Sequence, residues 1–163
     1  RKDGKFEEKF TLKTGRKYAS SVTTPNGKFI VIGGLDNNRN DLSTLEIIDT
    51  VKGEILAQQE LDETISYHCS VVLNDTTIFI MGGFQSGSRS RKTFFLDLNN
   101  LERKAGPEMK MARSIFGCAT MNATVFVAGG YSGSRTDKTE FLDLKSNDPS
   151  WQAGKSNIIE KVC

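Results

Sequence analysis

KFIVIGG, from Lys28 to Gly34, is the stretch whose reading decides the fold, because the chain writes it three times. It returns as TIFIMGG from Thr77 to Gly83 and as TVFVAGG from Thr124 to Gly130. The closing glycines stand 49 and 47 residues apart, and a period near fifty points to the blades of a β-propeller. In each copy an apolar run ends on two residues that lack a Cβ. Such residues accept φ > 0 and a close backbone approach, so the doublet ends a strand sharply and opens a loop.

More than the doublet repeats. Beyond it come a polar stretch and an apolar run carrying an aspartate: LSTLEIID to Asp49, RKTFFLDL with Asp97 and DKTEFLDL with Asp143. Before it come a short strand and a turn, with Pro25-Asn26-Gly27, Asn74-Asp75 and Asn122 as turn formers. Each unit thus reads as four short strands, A to D, with no helical period in between. Strand B is apolar throughout (Phe29 to Ile32, Ile78 to Met81, Val125 to Ala128), as expected of a strand buried on both faces. One such sheet cannot bury its own faces, so neighbouring units must stack.

The pattern resembles the Kelch repeat, in which an apolar strand ends in Gly-Gly, a second strand ends in an aspartate, and a tryptophan and a GP-x-M turn precede a basic residue. RKTFFLDLNNLERKAGPEMKMARSIFGCAT and KTEFLDLKSNDPSWQAG carry the resemblance. Trp151 holds the tryptophan position; Arg103 stands there in the second unit, with Ile55 and Leu56 near it in the first. Ile48, Leu96 and Leu142 replace the strand-C aromatic. The resemblance implies an all-β, Kelch-type propeller portion of about three consecutive four-stranded antiparallel blades, at about residues 16–62, 65–111 and 113–154. Residues 1–15 read as the remnant of a preceding blade, with Phe6 to Leu12 as its last strand, and 155–163 as the start of a following segment. Propellers typically close with four to eight blades, so the 163 residues are expected to be a fragment. A ring completed by several short chains is the alternative.

A net charge of +2 with 26% charged residues favours no nucleic-acid or polyanion surface. No apolar run approaches the length of a membrane span. Of the three cysteines, Cys69 and Cys118 fall one position out of register on equivalent strands. That places them on opposite faces and predicts free buried thiols rather than a bridge. Asn74-Asp75-Thr76 and Asn122-Ala123-Thr124 are N-glycosylation sequons on equivalent turns. They make secretion or the cell surface an alternative to the cytoplasmic location common in the resembled family.

Catalysis and cofactors find little footing. His68 is the sole histidine, so a copper-radical site of the kind some Kelch-like propellers hold lacks its ligands, and Tyr18, Tyr67 and Tyr131 are spread over three units. GGFQSGSR, Gly82 to Arg89, lacks the lysine-Ser/Thr pair and following helix of a phosphate loop. The expectation is therefore no enzyme, metal or cofactor, and a module that binds a partner protein. By the resemblance, the B–C and D–A loops share the binding rim. Its candidates are Arg39, Arg89, Arg91, Arg113, Tyr131 and Arg135, with Arg16, Lys17, Asp36, Gln85, Ser86, Ser88 and Ser132 beside them. Arginines suit an acidic partner motif, since guanidinium binds carboxylate in a bidentate fashion. A propeller enzyme whose catalytic residues lie outside this chain and an extracellular recognition domain are the competing readings.

Overall fold

The computed structural model describes residues 10–154. All of its regular structure is β. The first blade is β1 (Ser20–Thr23), β2 (Lys28–Ile32), β3 (Thr44–Asp49) and β4 (Glu54–Glu60). A short β5 (Ile65–Ser66) leads into the second blade. That blade contains β6 (Cys69–Val72) and β7 (Thr77–Met81), then a small hairpin of β8 (Phe84–Gln85) and β9 (Ser88–Arg89), then β10 (Thr93–Asp97) and β11 (Arg103–Ala105). The third blade is β12 (Gly117–Met121), β13 (Thr124–Ala128), β14 (Thr139–Asp143) and β15 (Gln152–Ala153). Each blade is a four-stranded antiparallel meander in the order A-B-C-D.

The registers make the three blades equivalent residue by residue. Ile32 faces Leu45, Met81 faces Thr93 and Ala128 faces Thr139, one step before each doublet. The doublets themselves share one conformation: φ is +56°, +58° and +67° at the first glycines and +95°, +85° and +95° at the second. A Cβ on Gly34, Gly83 or Gly130 would stand 2.7, 2.4 or 2.7 Å from the carbonyl oxygen of Lys17, Ser66 or Ser114. Only glycine lets the chain entering strand A pass this close.

The expected two-sided burial of strand B holds where a blade has neighbours on both sides. In β7, Ile78 and Ile80 join a cluster shared with Ile30, Ile32 and Leu45 of the first blade. The alternate residues, Phe79 and Met81, join Val125, Val127, Leu142 and Trp151 of the third. In β13 only one face is covered, so Val125 and Val127 are buried while Phe126 is 40% exposed.

The recurring aspartate of strand C closes the C–D turn. Asp49 accepts from the backbone N–H of Val51 and Lys52, Asp97 from Asn99 and Asp143 from Lys145. These bonds hold the Asp49 carboxyl below its usual pKa, the Lys52 N–H contributing most. Trp151, opposite Leu142, is buried and donates Nε1–H to Pro107 O at 2.9 Å, tying the third blade to the end of the second. Arg103 does stand at the matching place, opposite Leu96, where its guanidinium lies 3.9 Å from the Phe94 ring.

The thiol expectation is wrong: Cys69 and Cys118 form a disulfide, with Cα atoms 6.1 Å apart. The one-residue offset holds, and it brings the two thiols together rather than apart. Adjacent blades meet face to face, so equivalent strands present opposite faces to each other, and an offset of one residue is what contact requires. The preceding interface shows the same rule, because the Ser20 and Ser70 hydroxyls are hydrogen-bonded there. Cys69 and Cys118 are the equivalents of this serine pair one blade on.

Of the expected strand Phe6–Leu12, residues 6–9 lie outside the described residues and 10–12 join no ladder. The Phe10 ring instead sits 6.0 Å from Phe29. The segment from 155 onward, with Cys163, also lies outside them.

Candidate functional site: the glycine-doublet rim

Antiparallel order places the A–B turns at one end of every blade and the doublets at the other. At the doublet end each blade has a residue at positive φ just before strand A: Tyr18 (+57°), Tyr67 (+54°) and Ile115 (+56°). These three are joined from blade to blade by backbone hydrogen bonds. Tyr67 N–H donates to Tyr18 O and Ile115 N–H to Tyr67 O, each at 2.9 Å. Just after the doublets, Leu35, Phe84 and Tyr131 each pair with the strand-A approach through the ladder bonds of Lys17, Ser66 and Ser114.

The outcome is a line of rings across the rim. Tyr18 stacks on Tyr67 at 4.3 Å, and Tyr67 meets Phe84 edge-on at 6.0 Å. Arg89 follows, its guanidinium 5.2 Å from the Phe84 ring and 4.4 Å from the Tyr131 ring. Arg89 belongs to the second blade and Tyr131 to the third, so the cation bridges two blades. Contacts of this type contribute about 0.5–1 kcal/mol each where they stay partly exposed, as here. The Arg89 Nε is buried with no hydrogen-bond partner among the described residues. Tyr18, Ile115 and Tyr131 stay substantially exposed.

Beside the stack, burial raises the pKa of the Tyr67 hydroxyl, Tyr18 and Asp41 add to this, and the Arg39 charge opposes it. The phenol is therefore neutral at ordinary pH, a donor rather than a charge. Arg39 and Arg135 are exposed on the same rim. Arg91 is exposed too, but is engaged by Glu108 at 2.7 Å. The B–C segment of the second blade, expected as a loop, is the β8–β9 hairpin on a Ser86-Gly87 turn with φ of +49° and +80°. It pairs with β5 and thereby aims Arg89 at the rings.

Arg113 is not on the rim. It is fully buried: Nη1 donates to Gly129 O and Lys138 O at 2.8 Å each, and Nη2 to Glu140 Oε1 at 2.7 Å. Arg16 does the same two repeats earlier, to Gly33 O, Thr44 O and Glu46. Loops before strand A run beneath the doublet, so a basic residue there reaches orphan carbonyls of the doublet and strand C instead of solvent. The second blade keeps the place without charge: Ile65 stands for the arginine and Phe94 for the glutamate, both in the apolar core. Arg113 thus drops out as a partner contact.

His68, immediately before β6, is buried with neither ring nitrogen hydrogen-bonded among the described residues, and burial pushes its pKa down to about 3. It is a neutral packing residue against Gly83. An open cleft of about 410 Å³ beside the hairpin is lined by Gln85, Ser88, Arg91, Lys92 and Glu108, with Glu63 at its edge. Among the described residues no three His, Cys, Asp or Glu side chains are grouped to hold a metal ion. Among the described residues there is no helix long and apolar enough to cross a membrane.

The Kelch motif model matches residues 16–54, the first blade and its approach. The solved structure of YjhT, a Kelch-type propeller, superposes with a TM-score of 0.76 at 12% sequence identity. The likeness covers 86% of this chain and 52% of YjhT, so the chain spans about half that protein's length. At that identity it speaks for the fold. No curated protein sequence matches the chain. The first blade matches the Kelch motif, the other two repeat its registers residue for residue, and the chain folds as consecutive propeller blades of the kind seen in YjhT.

Proposed function

We propose that the chain is a non-catalytic protein-interaction module that takes an acidic, partly apolar segment of a partner protein on the doublet rim. The observation that carries this is the line of rings from Tyr18 to Tyr131, exposed at both ends and half-buried between, with Arg89 set into it and the exposed Arg39 and Arg135 beside it. Tyrosine and arginine are the residues that dominate binding energy at protein interfaces, because each offers apolar area together with a directed polar group. Three arginines free of ion pairs among the described residues then select for carboxylates.

The test is capture of partners from the source tissue on the immobilised full-length protein, wild type against an Arg39→Ala, Arg89→Ala, Arg135→Ala variant. Species lost from the variant, and lost from wild type as salt is raised, support the reading. An identical set of captured species on both would end it. A propeller enzyme fed by loops beyond this chain is the competing proposal. It gains support if the whole protein turns over a substrate and that turnover survives loss of partner capture.

A further inference from the structure

We propose that Asn74 and Asn122 carry N-linked glycans, added in the oxidising compartment in which Cys69 and Cys118 are joined. Three independent features converge on this, none of which rests on the partner reading.

The first is placement. Of ten asparagines, Asn74 and Asn122 alone head an Asn-x-Ser/Thr triplet, and both fall in the A–B turn, one in each of two successive blades. Turn chemistry accounts for the asparagines, since Asn tolerates positive φ and bonds its own backbone. Asn122 is at +51° in a two-residue turn, and Asn74 Oδ1 accepts from Thr76 N–H at 2.9 Å. It does not account for Thr124, which opens strand B opposite Asp143 where the first blade has Lys28 opposite Asp49.

The second is accommodation. Both asparagines are exposed, at the end of the blades away from the doublets. Glycans there would stand off the sheet and leave the ring line of Tyr18, Tyr67 and Tyr131 open.

The third is the disulfide. It staples β6 to β12, the first strands of the same two blades that carry the sequons, and structural disulfides persist in secretory and extracellular settings. Its formation takes two protons and two electrons from the thiols, delivered to an oxidised dithiol–disulfide exchange protein. Oligosaccharide transfer in that compartment makes the bond between Asn Nδ2 and the first sugar C1 and breaks the bond from C1 to a lipid pyrophosphate. The lipid pyrophosphate leaves, Nδ2 gives up one proton, and nothing is oxidised or reduced.

The experiment uses the full-length protein purified from its source, alkylated without reduction and digested with peptide N-glycosidase in heavy-oxygen water. Peptide mapping should find Asn74 and Asn122 converted to heavy-labelled aspartate, and one peptide pair linked through Cys69 and Cys118. Unlabelled asparagine at a position overturns the proposal for that position. Alkylated Cys69 and Cys118 overturn it altogether. In secretory expression, Asn74→Gln and Asn122→Gln should each remove one glycan's mass from the secreted protein; secretion of all forms at one mass would equally refute it.

Discussion

Arg113 shows how a residue's neighbours overrule its type. A charged side chain ahead of a strand reads as solvated, yet this one is fully buried with three acceptors around it. Removing one partner of such a pair leaves the other charge uncompensated, so Arg113→Ala should cost about 3–5 kcal/mol. The second blade supplies the control: Arg113→Ile with Glu140→Phe copies Ile65 and Phe94, and should recover most of that loss in thermal melts. His68 acts through protonation instead. Above pH 6.5 it is neutral in both folded and unfolded chains. Between 6.5 and about 3 the unfolded chain takes a proton that the buried ring refuses, so stability falls as pH falls. The slope should approach 1.4 kcal/mol per pH unit in that window, and urea titrations of His68→Leu should show it flattened by one proton.

Elements here are held by backbone geometry as much as by propensity. The glycine doublet is the clearest case, because at Gly83 a methyl group meets both a positive φ and the Ser66 carbonyl at 2.4 Å. Gly87 has a similar φ of +80° but open space around it. The comparison separates strain from collision: Gly87→Ala should cost about 1–2 kcal/mol for the left-handed backbone alone. Gly83→Ala should exceed it by at least about 2 kcal/mol, since a carbonyl in a ladder cannot step aside cheaply. Equal urea midpoints for the two variants would contradict the close approach. The doublet was legible in the sequence because glycine is the one residue the site admits. The β8–β9 hairpin was not, since two-residue strands carry no period, and the one cue was Gly87 after Ser86.

Across the whole molecule, blades are separate sheets joined at their faces, so what crosses between them sets cooperativity. The disulfide is the covalent crossing. It closes a loop with a sequence separation of 49, for which chain-entropy arguments give about 4 kcal/mol. Cys69→Ser with Cys118→Ser recreates the Ser20–Ser70 arrangement of the neighbouring interface and should fold, with a loss of about 2–4 kcal/mol. Reductant should lower the melting temperature of the wild type and leave the variant unmoved. A wild type insensitive to reductant would mean the bridge contributes nothing. The rim depends on the same assembly: Tyr18, Tyr67, Phe84, Arg89 and Tyr131 come from three blades and touch only because equivalent positions fall side by side.

The sequence by itself determined the repeat, the four-strand unit, the turns and the likeness to Kelch-type propeller blades. Each of these is written in local residues: glycines that alone fit, apolar runs of strand length, asparagines and aspartates that close turns. Tertiary structure decided what happens between repeats. Tyrosines that look scattered over the chain at 18, 67 and 131 converge with Arg89 on one rim. Cysteines on opposite faces become partners, and an arginine expected in solvent becomes a buried staple. The physical reason is common to all three: side-chain neighbours across a blade interface are fixed by how one sheet stacks on the next, and a single strand's pattern carries no record of the face it will meet.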